Sequence, residues 1–271
     1  MKIFITRLIF LALFFNKTNF LYGIENSIYN EFLKYEVEWL KLPVGTIYMK
    51  TVKGEKNLLS IRAKVESFEA IKSLYYVGGS FGALWNYKTQ NTYIAYEDIY
   101  QGYNYQKRYY LFENNEIFVK KLEKVFYEPG LPHSEPPKRL RQDEKYIPLN
   151  ERQDLLGIFY WMRLNKKDTN KGDVMKFNVI TAGKPKVLII RVLNKLYVDV
   201  PVLGGQKKVL HVKSGLLSEK KAEQGGDIIF KTQSPIEMYI TDDKYSIPVK
   251  LWTKAPVLGN IEIILKEYKT D

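Results

Sequence analysis

Gln106–Glu128 reads QKRYYLFENNEIFVKKLEKVFYE. Two arms rich in aromatic and aliphatic side chains flank Asn114-Asn115. Asparagine tolerates the left-handed backbone that a tight hairpin turn requires. The stretch therefore predicts a β-hairpin, with strands over Gln106–Glu113 and Glu116–Glu128. The pattern spreads outward along most of the chain. In KYEVEWLKL (Lys34–Leu42) Tyr35, Val37 and Trp39 fall on one face and Lys34, Glu36 and Glu38 on the other. That period of two is the strand signature. Asn57–Val65 repeats it with Leu59, Ile61, Ala63 and Val65. Further hairpin turns are expected at Gly204-Gly205, at Gly225-Gly226 and at Asp242-Asp243, the last between EMYI and YSIPVKLW, where Ile247, Val249 and Leu251 share a face. Asn260–Tyr268 closes the chain as a strand.

Helices are scarce. Glu25–Leu33 is expected to form a turn or two of helix. The stronger case is DLLGIFYWMR (Asp154–Arg163). Asp154 is placed to cap free backbone donors of a first turn, and Arg163 sits where a cation suits the helix dipole. Leu155, Ile158, Phe159 and Met162 make one stripe, and Leu156, Tyr160 and Arg163 another, so this helix is buried on more than one side. On that basis Asp154→Ala costs on the order of 1 kcal/mol through loss of the cap. Glu128–Pro148 interrupts the strand pattern with five prolines and mixed charges, and is expected to be a loop between two halves of one domain spanning 24–271. The expected fold is mainly β: an antiparallel curved sheet or half-barrel with one or two short helices.

The first residues, MKIFITRLIFLALFFNKTNFLYG, pair a basic start with the apolar run Leu8–Phe15 and a small residue at Gly23. Residues 1–23 have the layout of a secretory signal peptide, too short for a comfortable membrane span of about 20 apolar residues. The expectation is a periplasmic protein, soluble once the signal is cleaved. With no cysteine, disulfides are excluded and an exported chain must rely on its core. Net charge is +12, and leaves +9 without Lys2, Arg7 and Lys17. The charges are interspersed, which suits a solvated surface near anionic lipid or cell-wall polymer, and no nucleic-acid partner is expected.

Three motifs carry a resemblance. They are Asp154-Leu155-Leu156 with Phe159-Tyr160 and Arg163; Leu42-Pro43-Val44-Gly45-Thr46-Ile47; and Thr241-Asp242-Asp243 with Ile247-Pro248-Val249 and Gly259. In this order and spacing the chain resembles the exported bacterial domain-of-unknown-function family 3108. Gly157 departs from the small polar residue expected there. The resemblance implies an envelope protein with no assigned activity, an early glycine-containing turn at Leu42–Ile47, and an architecture similar to periplasmic lipoprotein carriers. It also nominates Asp154, Tyr160, Arg163 and Asp243 as ligand-binding residues.

Catalytic chemistry finds little support. The two histidines, His133 and His211, are too few for a usual transition-metal site, and no metal or cofactor is expected. Ser214 lies three residues from His211, on the opposite face of a strand. Gly78-Gly79-Ser80-Phe81-Gly82 lacks the ending of a phosphate loop and is expected to be a turn or bulge. The carboxylate pairs Glu97-Asp98 and Asp242-Asp243 are expected to be solvated turn formers. The 21 tyrosines suit half-buried sheet surfaces, or an aromatic groove or interaction face. The leading expectation is a non-catalytic protein binding an apolar or amphiphilic ligand, such as a lipid or another envelope component, with the 154–163 helix at its mouth. An assembly factor and a cell-wall enzyme are the alternatives.

Overall fold

The computed structural model of the protein describes residues 28–127, 136–165, 169–218, 235–255 and 259–270. The expected signal peptide, His133 and the Gly225-Gly226 turn lie outside them. Fourteen strands form one antiparallel sheet: β1 (Phe32–Trp39), β2 (Leu42–Lys53), β3 (Leu58–Ser67), β4 (Val77–Asn86), β5 (Asn91–Gln101), β6 (Asn104–Glu113), β7 (Glu116–Val125), β8 (Arg139–Pro148), β9 (Val174–Thr181), β10 (Lys184–Val200), β11 (Gly205–Leu217), β12 (Ile236–Thr241), β13 (Pro248–Ala255) and β14 (Gly259–Lys269). Among the described residues two α-helices join them, α1 (Glu69–Tyr75) and α2 (Leu155–Leu164).

Consecutive strands pair throughout, β1 pairs with β14, and only β8 and β9 do not meet. The result is a ring of hairpins opened at one seam. The chain crosses that seam through α2. One parallel bridge spans it: Gln153 N–H donates to Asn178 O at 3.3 Å, and Ile180 N–H to Gln153 O at 2.9 Å. The sheet is thus barrel-like without closing.

Turn chemistry explains the hairpins. Asn114 and Asn115 take φ of 48° and 67°, as expected between β6 and β7. Gly204, at φ 83°, links β10 to β11 after a 3-10 turn at Pro201–Leu203. Elsewhere the structure corrects the reading. The early turn is Leu40-Lys41, at φ 50° and 70°, so Leu42–Ile47 lies within β2 and the first strand ends at Trp39. Gly45 serves close approach, because a Cβ there would sit 2.6 Å from Glu66 O. Gly78–Gly82 is neither turn nor bulge but the interior of β4, where the Tyr96 ring covers Gly82, 2.3 Å from where its Cβ would stand. Leu33, expected in a helix, is in β1.

The expected loop Glu128–Pro148 contains an entire strand, β8. Pro136 and Pro137 precede that strand, and Pro148 is its last residue. Its inner face carries Arg141, Asp143 and Lys145 before Ile147. Charge facing inward on an edge strand hides the hydrophobic alternation and blunts the edge against pairing with other chains.

The inner face of the sheet holds the core, with Leu33, Leu59, Ile61, Trp85, Ile117, Leu188, Ile190, Met238 and Ile263 each at most 1% exposed. Helix α2 lies within it. Every residue of α2 but Trp161 is buried, and Trp161 packs edge-on to Phe177 at 5.4 Å. The all-round apolar character of DLLGIFYWMR corresponds to a helix enclosed by sheet.

Candidate functional site

Three of the four residues nominated from sequence fall at the two ends of α2. At its start Asp154 Oδ1 accepts from the backbone N–H of Leu156 (2.8 Å) and of Gly157 (3.0 Å), as a capping carboxylate should. Its other oxygen accepts from Thr92 Oγ1 of β5 at 2.5 Å, so the cap is also a tertiary tie. Burial pushes the Asp154 carboxyl up to about 6, against the opposing effect of the Thr92 hydroxyl and the two N–H donors. Gly157 is explained here. A Cβ would fall 2.5 Å from Thr92 Oγ1, 2.7 Å from Asp154 Oδ2 and 3.1 Å from Trp85 Cδ1. No larger residue fits without displacing the cap.

About two and a half turns further along α2 the second cluster forms. Arg163 Nη1 and Nη2 donate to Glu31 Oε2 and Oε1 at 2.6 and 2.5 Å, and Tyr160 donates to Glu31 Oε2 at 2.9 Å. Arg163, Glu31 and Tyr160 are all 0% exposed. The guanidinium also packs over the rings of Phe159 and Tyr160, at 5.2 and 5.3 Å. Burial, with the Glu31 carboxylate beside it, holds the Tyr160 hydroxyl protonated well above the usual tyrosine range.

Asp243 joins the cluster indirectly. It organises the β12–β13 turn, accepting from Thr241 Oγ1 (2.8 Å) and from the N–H of Tyr245 (2.9 Å) and Ser246 (3.1 Å). Arg163 Nε then donates to Tyr245 O at 2.9 Å. Tyr160, Arg163 and the Asp243 turn are therefore brought together. Asp154 is not, standing roughly 14 Å away along a helix rising 1.5 Å per residue. The centre of the cluster, Glu31, escaped the sequence reading. Its signal was its phase, since Glu31 shares parity with inward-facing Leu33 and Tyr35. Enclosed on all sides, this bidentate pair can hold α2 in the sheet but offers no surface to a ligand.

A second buried pair also escaped notice. Glu97 lies in β5, not in a turn. It accepts from Arg108 Nη1 at 2.5 Å and Tyr110 Oη at 2.7 Å, while Asp98 on the outer face pairs with Lys107 at 3.5 Å. Ala182 N–H reaches Glu97 Oε1 at 3.3 Å and Gly183 N–H reaches Tyr110 Oη at 3.0 Å. The network thus pins the β9–β10 turn, which belongs to one side of the seam, onto β5 and β6 from the other. Beside that turn opens a cleft of about 280 Å³, lined by Val119, Lys121, Arg141, Asp143, Lys145, Ala182, Gly183 and Lys184.

The remaining candidates are accounted for. Asp242 pairs with Lys195 and Lys208 at 3.2 and 3.5 Å. His211 meets Glu237 Oε2 at 2.8 Å and packs on Tyr239 and Trp252, whereas Ser214 is buried and donates to Ile236 O. Among the described residues no three metal-ligating side chains converge, and no helix is long and apolar enough to cross a membrane. On the tyrosine-rich outer face Tyr100 stacks on Tyr105 at 4.4 Å.

These features define an open, barrel-like antiparallel sheet plugged by a capped helix. The chain belongs to the family described as protein of unknown function (DUF3108), whose model matches residues 34–266. No match is found among curated proteins. Among solved structures, a β-barrel-like protein of domain of unknown function DUF1849 from Brucella abortus is similar at a TM-score of 0.57 and 9% identity, over 90% of this chain and 99% of that one. A Bacteroides fragilis protein with a YmcC-like fold aligns over 96% and 100% of the two chains, at 6% identity and a TM-score of 0.36, too distant to argue from.

Proposed function

We propose that the protein is an exported, non-catalytic binding protein of the cell envelope, and that an amphiphilic ligand enters where the sheet fails to close. One observation carries this reading: the cleft lies at the seam, between β8 and the β9–β10 turn, with Val119, Ala182 and Gly183 as an uncharged floor and charged side chains around it. Export is supported by the signal-like layout of residues 1–23. The site is moved from α2, where sequence placed it, because the helix is enclosed by side chains. Binding sites cluster at the mouths of barrels for the same reason that this cleft exists, since a fully packed interior leaves room only at its ends.

Mass spectrometry of solvent extracts from the gently purified mature protein tests the reading. A stoichiometric lipid or acyl compound is expected. Repeated recovery of ligand-free protein would overturn it.

The outer face of β5–β8 favours one second reading, an assembly factor. Tyr93, Tyr109 and Tyr146 are 40, 44 and 68% exposed there, beside the unpaired edge of β8, and half-wet aromatic faces are typical of interaction surfaces. Crosslinking in intact cells that yields no discrete partner from this face would exclude it.

A further inference from the structure

We infer that the seam cleft is a site for a phosphate-bearing headgroup, an inference that rests on the binding function proposed above and names the ligand's chemistry. The β7–β8 register sets Ile117 opposite Ile147, then Val119 opposite Lys145, then Lys121 opposite Asp143. Along this line, which continues with Glu123 opposite Arg141, the inner face changes from apolar to charged. Four cations, Lys121, Arg141, Lys145 and Lys184, stand against two carboxylates, Asp143 in the lining and Glu123 opposite Arg141. Lys121 is engaged by Glu123 at 2.6 Å. Arg141, Lys145 and Lys184 form no ion pair among the described residues. Like charges gathered on a concave wall repel each other and concentrate anions in the cleft.

The wall opposite β8 is held ready. Ala182 and Gly183 are fixed by Glu97 and Tyr110, so the turn that carries Lys184 is anchored without a ligand. Below it lies Arg108, 3% exposed. Its Nε has no hydrogen-bond partner and lies 4.0 Å from where a Gly183 side chain would begin. Several cations including one guanidinium fork suit a phosphate, which accepts bidentate donation. The volume, about 280 Å³, lies just below the usual range of small-molecule sites, about 300–1,000 Å³. It suits a headgroup and leaves acyl chains to another surface.

The source of the phosphate, a soluble ester or a lipid, is separated by two probes applied to the mature chain. Glycerol 3-phosphate is titrated calorimetrically, and vesicles of phosphatidylglycerol with phosphatidylcholine are co-sedimented against phosphatidylcholine alone. The variant Arg141→Ala/Lys145→Ala/Lys184→Ala is compared with Lys56→Ala/Lys88→Ala/Lys254→Ala, which removes equal charge from exposed sites elsewhere. Saturable glycerol 3-phosphate binding that falls at least about tenfold in the first variant only supports the site with a soluble ester. Sedimentation with phosphatidylglycerol alone, lost in the same variant only, supports it with a lipid headgroup. Equal losses in both variants, or no binding to either probe, overturns the inference, and the cations then only guard an open sheet edge. Should the triple variant misfold, Lys184→Glu on the exposed turn gives the same comparison. A neutral amphiphile extracted from a protein that ignores both probes would sink this inference and leave the proposed function standing.

Discussion

Asp154 shows how one side chain can be legible in sequence and still hold a surprise. Its capping role follows from its place before an apolar run, but Thr92 lies 62 residues away and nothing local announces it. The buried carboxyl has its pKa raised from 3.8 to about 6. The folded state therefore holds this proton more tightly than the unfolded chain. Its contribution to stability is complete below about pH 3.8 and is lost as pH rises through about 6. That gap, at ~1.36 kcal/mol per pH unit, sets a ceiling of about 3 kcal/mol. Asp154→Asn keeps a capping oxygen and removes the titration. Denaturant unfolding between pH 4 and 7 should show the wild type losing stability relative to this variant as pH rises; parallel curves would refute the assignment. Gly157→Ala makes the companion test. Its Cβ would overlap the cap and Trp85, so although alanine favours helices, a loss of about 1–3 kcal/mol is expected from overpacking. A stabilised variant, measured by the same unfolding curves, would show that the neighbours yield freely.

At the scale of the element, α2 is held by Glu31. Removing one partner of a fully buried ion pair leaves the other charged and unsolvated, at a cost of about 3–5 kcal/mol. Glu31→Ala should therefore destabilise by about that amount, while the double change Glu31→Leu/Arg163→Met recovers most of it, because apolar pairs of similar volume often replace buried ions without loss. Thermal unfolding of both variants checks this; equal loss in the two would mean that the pair does more than neutralise itself. Arg163 and Tyr160 stand out on a helix that is otherwise apolar, so half of the cluster was legible. Glu31 was not, because its segment reads as either a helix end or a strand start, and only the pairing of β1 with β14 and β2 sets its side chain inward. Strand β8 was hidden for a related reason. The inner-facing charges that form the cleft erase the alternation by which a strand is recognised.

For the whole molecule, the β1–β14 ladder joins the two ends of the chain and makes the sheet continuous from β8 to β9. Ile261, Ile263 and Leu265 of β14 are buried in the shared core. Ending the chain before Gly259 would expose β1 and β13 along their full length, and no cooperative unfolding transition is expected from that truncation by circular dichroism. A sharp transition would mean that the sheet folds as separable halves. The same topology explains why the cleft sits where it does. With β1 paired to β14, the sheet's two edges are β8 and β9, and α2 lies in the connection between them.

The amino-acid sequence alone determined the class of fold, the hairpin turns at Asn114-Asn115 and Gly204-Gly205, and a capped, buried helix at Asp154–Arg163. All of these depend on neighbours within a few residues, through side-chain alternation, left-handed turn residues and capping. Only the tertiary structure decided that Glu31 answers Arg163, that Glu97 pins the β9–β10 turn, and that cations from β7, β8 and that turn share one cleft. The Glu31–Arg163 and Glu97–Ala182 contacts join residues 132 and 85 positions apart, and no local preference encodes them. They exist because a fourteen-stranded sheet curls until its two unpaired edges face each other across a helix.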